Sequence, residues 1–242
     1  MGDSPLRLSF GNVAETYHRV RPPYSQGALD RAQAALELGT DALVLDLAAG
    51  TGRLTHELAR RFTKVIAVEP NDAMRALIRD GDVRAGAAEA IPLEDASVDA
   101  VFVGEAFHWF DPSAAIPEVA RVLRRRGGLA IIHVHWWETE PPLPDDALEL
   151  LSEPWLRFSA QRNPPWDGAF DVTPFEPLRY ERFEDAIDVS PDALLELYST
   201  TSSIAALPHD ERAALIARVR PLLDRDYRLP IKHELAWTRL AG

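Results

Sequence analysis

The chain has 242 residues, 46% of them hydrophobic, and is long enough to bury one sizeable core. Its formal charge of −12, from 38 acidic and 26 basic side chains, provides no broad positive surface for nucleic acid or an anionic membrane. The absence of cysteine excludes disulfides and thiolate zinc sites.

Short apolar runs alternate with amphipathic stretches along the chain, which predicts an α/β fold with a doubly wound, mostly parallel sheet. Strands are predicted at 43–47, 65–68, 83–86, 100–103 and 129–135, and helices at 26–38, 53–61, 71–79 and 113–123. Asp72 and Ser113 are expected to be helix N-caps, and Gly127 with Gly128 to end the helix before the fifth strand.

Residues 44–55 combine a buried strand, a glycine turn and the start of a helix. Gly50 and Gly52 allow a sharp turn and a close approach of the backbone to a ligand. The first N–H groups of the following helix would point at that ligand. We therefore expect a nucleotide-like molecule at this turn.

Two acids narrow the choice of ligand. Asp46 lies at the end of the first strand, and Glu69 ends the next apolar run about 20 residues later. A dinucleotide site needs a third glycine where this chain has Thr55, and its pyrophosphate would meet Asp46. S-adenosyl-L-methionine (SAM) has no phosphate, carries positive charge and offers a ribose diol to a carboxylate. A nicotinamide-dependent oxidoreductase is the less favoured alternative.

From about Phe10 to its end, the sequence resembles the class I SAM-dependent methyltransferases, in the type 11 group that includes aconitate and other small-acid methyltransferases. The group's motif, acid-x-Gly-x-Gly-x-Gly, is matched by 46–52 with Ala48 in place of the first glycine. The resemblance implies that Asp46 supports the turn or the cofactor's amino end. It also implies that the Ala48 to Gly52 backbone lines the methionine portion and that Glu69 binds the ribose hydroxyls. Alternatively, Glu69 is a solvated helix-cap acid.

The segment 86–93 resembles the part of the family that packs against adenine, with Ala87 where an aspartate often accepts a bond from the base. Glu89 is either functional here or an exposed loop acid. Taken together, the residues predicted to bind the cofactor are Tyr17, Arg21, Asp46, Ala48, Gly50, Gly52, Glu69, Pro70, Met74, Ala87, Ala88, Glu89, Gly104 and Glu105.

The loop 104–112 follows the fourth strand, at the sheet edge where ligands of open α/β folds bind. His108 stands among aromatic residues and is the predicted catalytic residue, either taking a proton from a hydroxyl or orienting a carboxylate. Alternatively, it only packs against the cofactor. The residues predicted to contact the acceptor are Tyr24, His108, Trp109, Trp136 and Trp137.

Residues 10–38 resemble the family's N-terminal lid, in which Tyr17, Arg21 and Tyr24 would close over the cofactor and Arg21 would pair with a carboxylate. The family pattern also implies two more strands, at 182–189 and 231–240, with the last one antiparallel and helices at 191–198 and 209–223. The proline- and tryptophan-rich range 136–180 is predicted to be a substrate cap inserted after the fifth strand. Its aromatic residues could instead form a small core or a dimer face.

The resulting prediction is a Rossmann-like, single-domain methyltransferase spanning 1–242. It would transfer the methyl group of SAM by in-line displacement to a small molecule, with oxygen preferred over nitrogen or carbon and S-adenosyl-L-homocysteine as the product. A SAM-binding protein that does not methylate is the alternative. No metal is expected, although His133 and His135 alternate on the fifth strand. A cytoplasmic location is expected, because the N-terminus has no signal pattern and no apolar run is long enough to span a membrane. A monomer or a homodimer is expected.

Overall fold

The computed structural model of the chain describes residues 9–136, 142–158, 166–171 and 173–241. The strands are β1 Leu43–Leu47, β2 Lys64–Val68, β3 Asp82–Arg84, β4 Val98–Gly104, β5 Leu123–His135, β6 Arg179–Val189 and β7 Tyr227–Arg239. The α-helices are α1 Ala14–Val20, α2 Gln26–Ala35, α3 Arg53–Ala59, α4 Asp72–Arg75, α5 Pro112–Val122, α6 Asp145–Phe158, α7 Pro191–Ser199, α8 Ser202–Ala205 and α9 His209–Val219. Short 3-10 turns cover Ser9–Val13, Phe107–Trp109, Asp167–Phe170 and Arg220–Leu222.

The strands form a seven-stranded sheet in the order β3-β2-β1-β4-β5-β7-β6. Strands β1 to β5 pair in parallel, and β7 runs antiparallel between β5 and β6, which confirms the predicted fold class. Pairing reaches Leu47↔Val68 between β1 and β2, and Gly104↔Ile132 between β4 and β5. The carboxyl ends of these four strands therefore meet at one edge of the sheet.

Both faces of the parallel strands are covered, because successive side chains on a strand point to opposite faces. On one face, Val101 and Ile131 pack with Ile116 and Val119 of α5. On the other face, the core includes Phe102 and Ile132, together with residues of α2 such as Ala28, Leu29 and Ala32. This two-sided burial explains why the strands read as continuous apolar runs.

Several predicted helix ends and N-caps are wrong. The helix predicted at 71–79 is only Asp72–Arg75, and its N-cap is Asn71, whose side-chain oxygen accepts the N–H groups of the first turn. Asp111 rather than Ser113 caps α5, because Pro112 takes the first helical position, where its missing N–H costs nothing.

The pair Gly127 and Gly128 lies within β5 rather than at the end of a helix. Pairing with β4 starts at Val98↔Leu123 and resumes at Ala100↔Gly128, so Arg124 to Gly127 stand opposite Asp99 alone. The strand therefore begins directly after α5 and contains a bulge, which the helix-to-strand pattern could not reveal.

The chain divides into two compact units. The sheet unit consists of Pro23–Val134, Asn163–Phe183 and His233–Gly242, and the helical unit of Met1–Pro22, His135–Arg162 and Glu184–Lys232. The ranges predicted as lid, 10–38, and as cap, 136–180, each contribute residues to both units. None of the helices in the described ranges combines the length and apolar character needed to cross a membrane.

Candidate active site

The turn after β1 is held in left-handed backbone conformations. Gly50 and Gly52 have φ values of +59° and +80°, and Ala48, which replaces a family glycine, has φ +57°. The turn is closed by hydrogen bonds from the Ala49 N–H to the Val68 carbonyl (3.0 Å) and from the Gly52 N–H to the Ala49 carbonyl (2.9 Å). Residues other than glycine rarely adopt such φ values, so Ala48 carries backbone strain at this turn.

Asp46 is buried at the end of β1 and 1% exposed. The Thr55 hydroxyl donates to its Oδ2 at 2.6 Å, and its Oδ1 accepts no hydrogen bond from the part of the chain that the structure describes. Burial raises the pKa of Asp46 to about 7, with the charge of Glu69 adding to the rise and the bond from Thr55 opposing it. Thr55 is the residue that stands where a dinucleotide site would have its third glycine.

Glu69 is tied to the same turn from the end of β2. Its Oε2 accepts the N–H of Gly50 and its Oε1 accepts the N–H of Asn71, both at 2.8 Å. Glu69 is only 6% exposed, so it is not the solvated acid of the alternative interpretation. Its carboxylate therefore links the glycine turn to the start of α4.

Other predicted cofactor residues surround this turn. The Met74 methyl group lies 3.5 Å from where a Cβ on Gly50 would be, whereas Pro70 is exposed. Ala88 is buried, and Ala87 forms an isolated bridge with Ala90.

Glu89 is half-buried, and its Oε1 accepts the Asp111 N–H at 3.0 Å. It therefore connects the loop after β3 to the start of α5, instead of being the exposed loop acid of the alternative interpretation.

At the end of β4, Tyr24 lies over Gly104. A Cβ on Gly104 would stand 2.8 Å from the Tyr24 ring carbon Cζ, so this close approach requires glycine. The next residue, Glu105, has a left-handed φ of +57°.

Glu105 faces β5. Its Oε1 accepts the Val134 N–H at 2.6 Å and lies 3.5 Å from Nδ1 of His133. Burial favours a raised pKa for Glu105, but the bonds and charges of His133, Val134 and His108 outweigh it and hold the pKa below the usual value.

The loop 104–112 divides its aromatic residues between the core and the edge. Phe107 and Phe110 are buried, whereas His108 and Trp109 are half-buried with ring centroids 4.8 Å apart. The His108 ring also lies 5.8 Å from the ring of His133. The aromatic residues around His108 therefore lie partly in the core and partly at the rim beside the end of β5.

Sequence reasoning considered His133 only as a metal ligand and missed its pairing with Glu105. In the described ranges no group of three or more His, Cys, Asp or Glu residues is arranged to hold a metal. His133 instead lies 5.7 Å from Trp166 with the two rings 30° from parallel. The available signal was positional, because Glu105 follows the predicted fourth strand and His133 lies within the adjacent predicted strand 129–135.

Three predicted ligand residues belong to the helical unit and form a cluster there. The Arg21 guanidinium lies 4.6 Å from the Tyr17 ring centroid and 5.6 Å from that of Trp136, and Trp136 is fully buried. Arg21 also donates to Oγ1 (2.9 Å) and the carbonyl (2.6 Å) of Thr200. Trp137 lies outside the described residues.

A seven-stranded sheet in this order, with a glycine turn after β1 and a buried acid after β2, defines the class I methyltransferase fold. The methyltransferase domain family matches residues 45–131. An uncharacterized methyltransferase of Mycobacterium tuberculosis is 37% identical over 222 residues, covering 90% of this chain and 86% of the relative. The chain belongs to the SAM-dependent methyltransferase family, in its type 11 group.

Solved structures share the fold at lower identity. A proposed type II methyltransferase from Anaeromyxobacter dehalogenans matches with a TM-score of 0.66 and 23% identity, over 92% of this chain and 99% of that one. A 4+2 cyclase, SpnF, matches with a TM-score of 0.56 and 16% identity, over 98% of this chain and 97% of that one. At such identities the likeness concerns the fold alone.

Proposed function

We propose that this protein binds SAM at the glycine turn and transfers its methyl group to an oxygen atom of a small-molecule acceptor. The observation that carries the proposal is the buried Glu69 carboxylate at the end of β2, which is bonded to the Gly50 N–H of the glycine turn. A carboxylate in this place suits a ribose diol, since charge-assisted hydrogen bonds are the stronger ones.

The methionine portion of SAM would lie along the glycine turn. The backbone from Ala48 to Gly52 would line the methionine portion, and Asp46 would face its ammonium group. A positive charge there would favour the ionised form of Asp46, whose pKa burial raises to about 7. Binding of SAM would thereby offset part of the cost of a buried carboxylate.

The acceptor would lie at the edge formed by β4 and β5. His108 and Trp109 are half-buried there, so they can contact a ligand while their rings stay fixed by packing. SAM is an activated donor, and the protein's contribution would be to align the acceptor oxygen with the methyl group and to exclude water. The ligand contacts expected of Tyr17, Arg21, Tyr24 and Trp136 remain part of this proposal, as do the lid and the cap.

The net charge of −12 supports a small-molecule substrate rather than nucleic acid. A cytoplasmic location and a monomeric or homodimeric state are further expectations. A SAM-binding role without methyl transfer is the second candidate, because the same fold also occurs in the cyclase SpnF. Formation of S-adenosyl-L-homocysteine with an acceptor distinguishes the two.

The first test is calorimetric titration with SAM, S-adenosyl-L-homocysteine, NAD and NADP. Glu69→Ala should weaken SAM binding by about 10- to 100-fold, because it removes charge-assisted bonds to the ribose. Glu69→Gln, which keeps one oxygen for the turn, should lose less. Glu181→Gln is the control, since Glu181 forms a surface pair with Arg31. Unchanged SAM affinity in both Glu69 variants would remove Glu69 from the ribose site, and binding of the nicotinamide cofactors alone would overturn the proposal.

A further inference from the structure

An open cleft lies at the edge of the sheet opposite the glycine turn. It encloses about 550 Å³, which falls within the range of small-molecule sites. The cleft is lined by residues 36–39, 41 and 42 after α2 and by 124–127 of β5, and Lys64 at the start of β2 and Arg239 at the end of β7 also line it. All of these residues belong to the sheet unit.

The bulge of β5 brings three consecutive arginines to this cleft. Arg124, Arg125 and Arg126 all line it, and Arg126 has a left-handed φ of +65°. A Cβ on Gly127 would stand 2.8 Å from the Arg124 carbonyl oxygen, so the bulge closes tightly only with glycine at that position. Residues other than glycine rarely adopt such a φ, and those that do are concentrated at functional sites. The backbone at Arg126 therefore marks this bulge as a candidate functional segment.

Two of the acids that line the cleft already have partners. Asp99 accepts the Arg124 guanidinium at 2.6 Å with one carboxylate oxygen and the Leu43 N–H at 2.8 Å with the other. Glu37 accepts the Arg239 guanidinium at 3.0 Å. These two carboxylates therefore neutralise two of the five cations of the cleft.

The remaining charges of the cleft are mostly positive. Among the side chains that the structure describes, the exposed Lys64, Arg125 and Arg126 form no ion pair, and Asp41 is the acid of the cleft that forms none. The chain as a whole has a formal charge of −12, so three unpaired cations beside one unpaired acid form a local exception. This local charge attracts an anion, whereas the negative charge of the rest of the chain opposes a large polyanion such as nucleic acid.

We propose that this cleft is a second binding site, which takes a small ligand carrying two or more linked phosphate groups, as in inorganic pyrophosphate or a nucleoside diphosphate. Arginine guanidinium groups bind phosphate oxygens through pairs of parallel hydrogen bonds, and a lysine ammonium adds a point charge. One phosphate group carries a charge of about −1.5 to −2 at pH 7, so two linked groups match three cations better than one group does. The cleft is separate from the glycine turn, so this inference does not depend on SAM binding.

The ligand class is tested by calorimetric titration of the full chain with inorganic pyrophosphate, orthophosphate and citrate. Pyrophosphate should bind about tenfold or more tightly than either of the others. Its affinity should fall as salt is added, because the charges lie at the surface. Citrate, which carries its negative charge on carboxylates, would overturn the phosphate assignment if it bound as tightly as pyrophosphate. No binding of pyrophosphate at low salt would overturn the site itself.

Charge variants of opposite sign test whether the ligand occupies this cleft. Arg125→Gln and Arg126→Asn should each weaken pyrophosphate binding by about 5- to 20-fold, because each removes charge-assisted hydrogen bonds. Asparagine is chosen at Arg126 because it tolerates a left-handed φ. Asp41→Asn should instead tighten binding by about two- to fivefold, because it removes the unpaired acid. A purely structural role of these residues would not move the affinity in opposite directions.

Arg79→Gln is the matched control for these variants. Arg79 is also an exposed arginine without an ion pair among the described residues, but it lies after α4 and outside the cleft. Denaturant unfolding of each variant checks that the fold is retained. Pyrophosphate affinity that is unchanged in both Arg125→Gln and Arg126→Asn, or that Arg79→Gln lowers as much, would overturn the inference.

Backbone NMR distinguishes this cleft from the proposed SAM site. Pyrophosphate should shift the amide signals of Gly39 and Gly127, which line the cleft, and leave those of Gly50 and Gly52 unchanged. The reverse pattern would place the phosphates at the glycine turn and overturn the second site. A failure of the chain to bind SAM bears on the proposed function alone.

Discussion

Thr55 donates its hydroxyl to Asp46 across 2.6 Å, and so the first turn of α3 is joined to the end of β1 beneath the glycine turn. The residue that departs from the dinucleotide pattern is thus the one that satisfies the buried carboxyl. A glycine at this position would remove the only hydrogen bond that the described side chains donate to Asp46. The departure from that motif therefore has a structural role.

The raised pKa of Asp46 predicts a pH dependence of stability. Because its pKa of about 7 in the fold lies above the ordinary 3.8, the folded chain holds this proton more tightly than the unfolded chain does. The free energy of unfolding should fall between about pH 4 and 7, by up to about 4 kcal/mol. In ligand-free denaturant titrations, Asp46→Asn should flatten this dependence of the free energy of unfolding on pH. Asp226→Asn should leave it unchanged, because Asp226 is exposed. An unchanged slope in Asp46→Asn would assign the titration to another group.

The left-handed backbone at Ala48 predicts a stabilising substitution. Ala48→Gly should relieve the strain at φ +57° and raise the free energy of unfolding by about 1 kcal/mol. Ala49→Gly is the control, since Ala49 is buried and does not have a positive φ. Thermal or denaturant unfolding of both variants checks this, and a loss of stability in Ala48→Gly would contradict the strain.

Arg21 is expected to matter even without a ligand. Its two bonds to the buried Thr200 and its contact with the Tyr17 ring predict that Arg21→Ala lowers the free energy of unfolding by about 1 to 3 kcal/mol. Arg19→Ala should change it by less than about 1 kcal/mol, because the Arg19 pair with Glu196 is solvent-exposed.

Calorimetry with SAM then separates the two roles of Arg21. A loss of SAM affinity in Arg21→Ala that persists where the variant is fully folded would support the predicted cofactor contact. Unchanged affinity would leave Arg21 with the structural role alone.

Features that depend on local sequence were predictable. The bounds of β1 are correct, and Glu69 contacts the glycine turn, because each follows the end of a short buried strand. The shortness of α4 was not predictable from periodicity, since Asn71 caps it within the amphipathic pattern.

Features that depend on pairing between distant segments were not predictable. Glu105 and His133 come together through the register of β4 and β5, which the bulge between Leu123 and Gly128 shifts. The spacing of Tyr17 and Arg21 matched the family pattern, but it could not predict the bond from Arg21 to Thr200, because Thr200 comes from a much later part of the chain.

The bulge at the start of β5 also bears on how this fold tolerates change in chain length. Arg124 to Gly127 form an excursion opposite Asp99, and ordered pairing continues on both sides of it. Asp99 holds that region by accepting the Arg124 guanidinium (2.6 Å) and the Leu43 N–H (2.8 Å). An added or deleted residue could be absorbed within the excursion while Gly104 stays opposite Ile132. The opposite end of the sheet can thus diverge during evolution without moving the edge on which Glu105 and His133 stand.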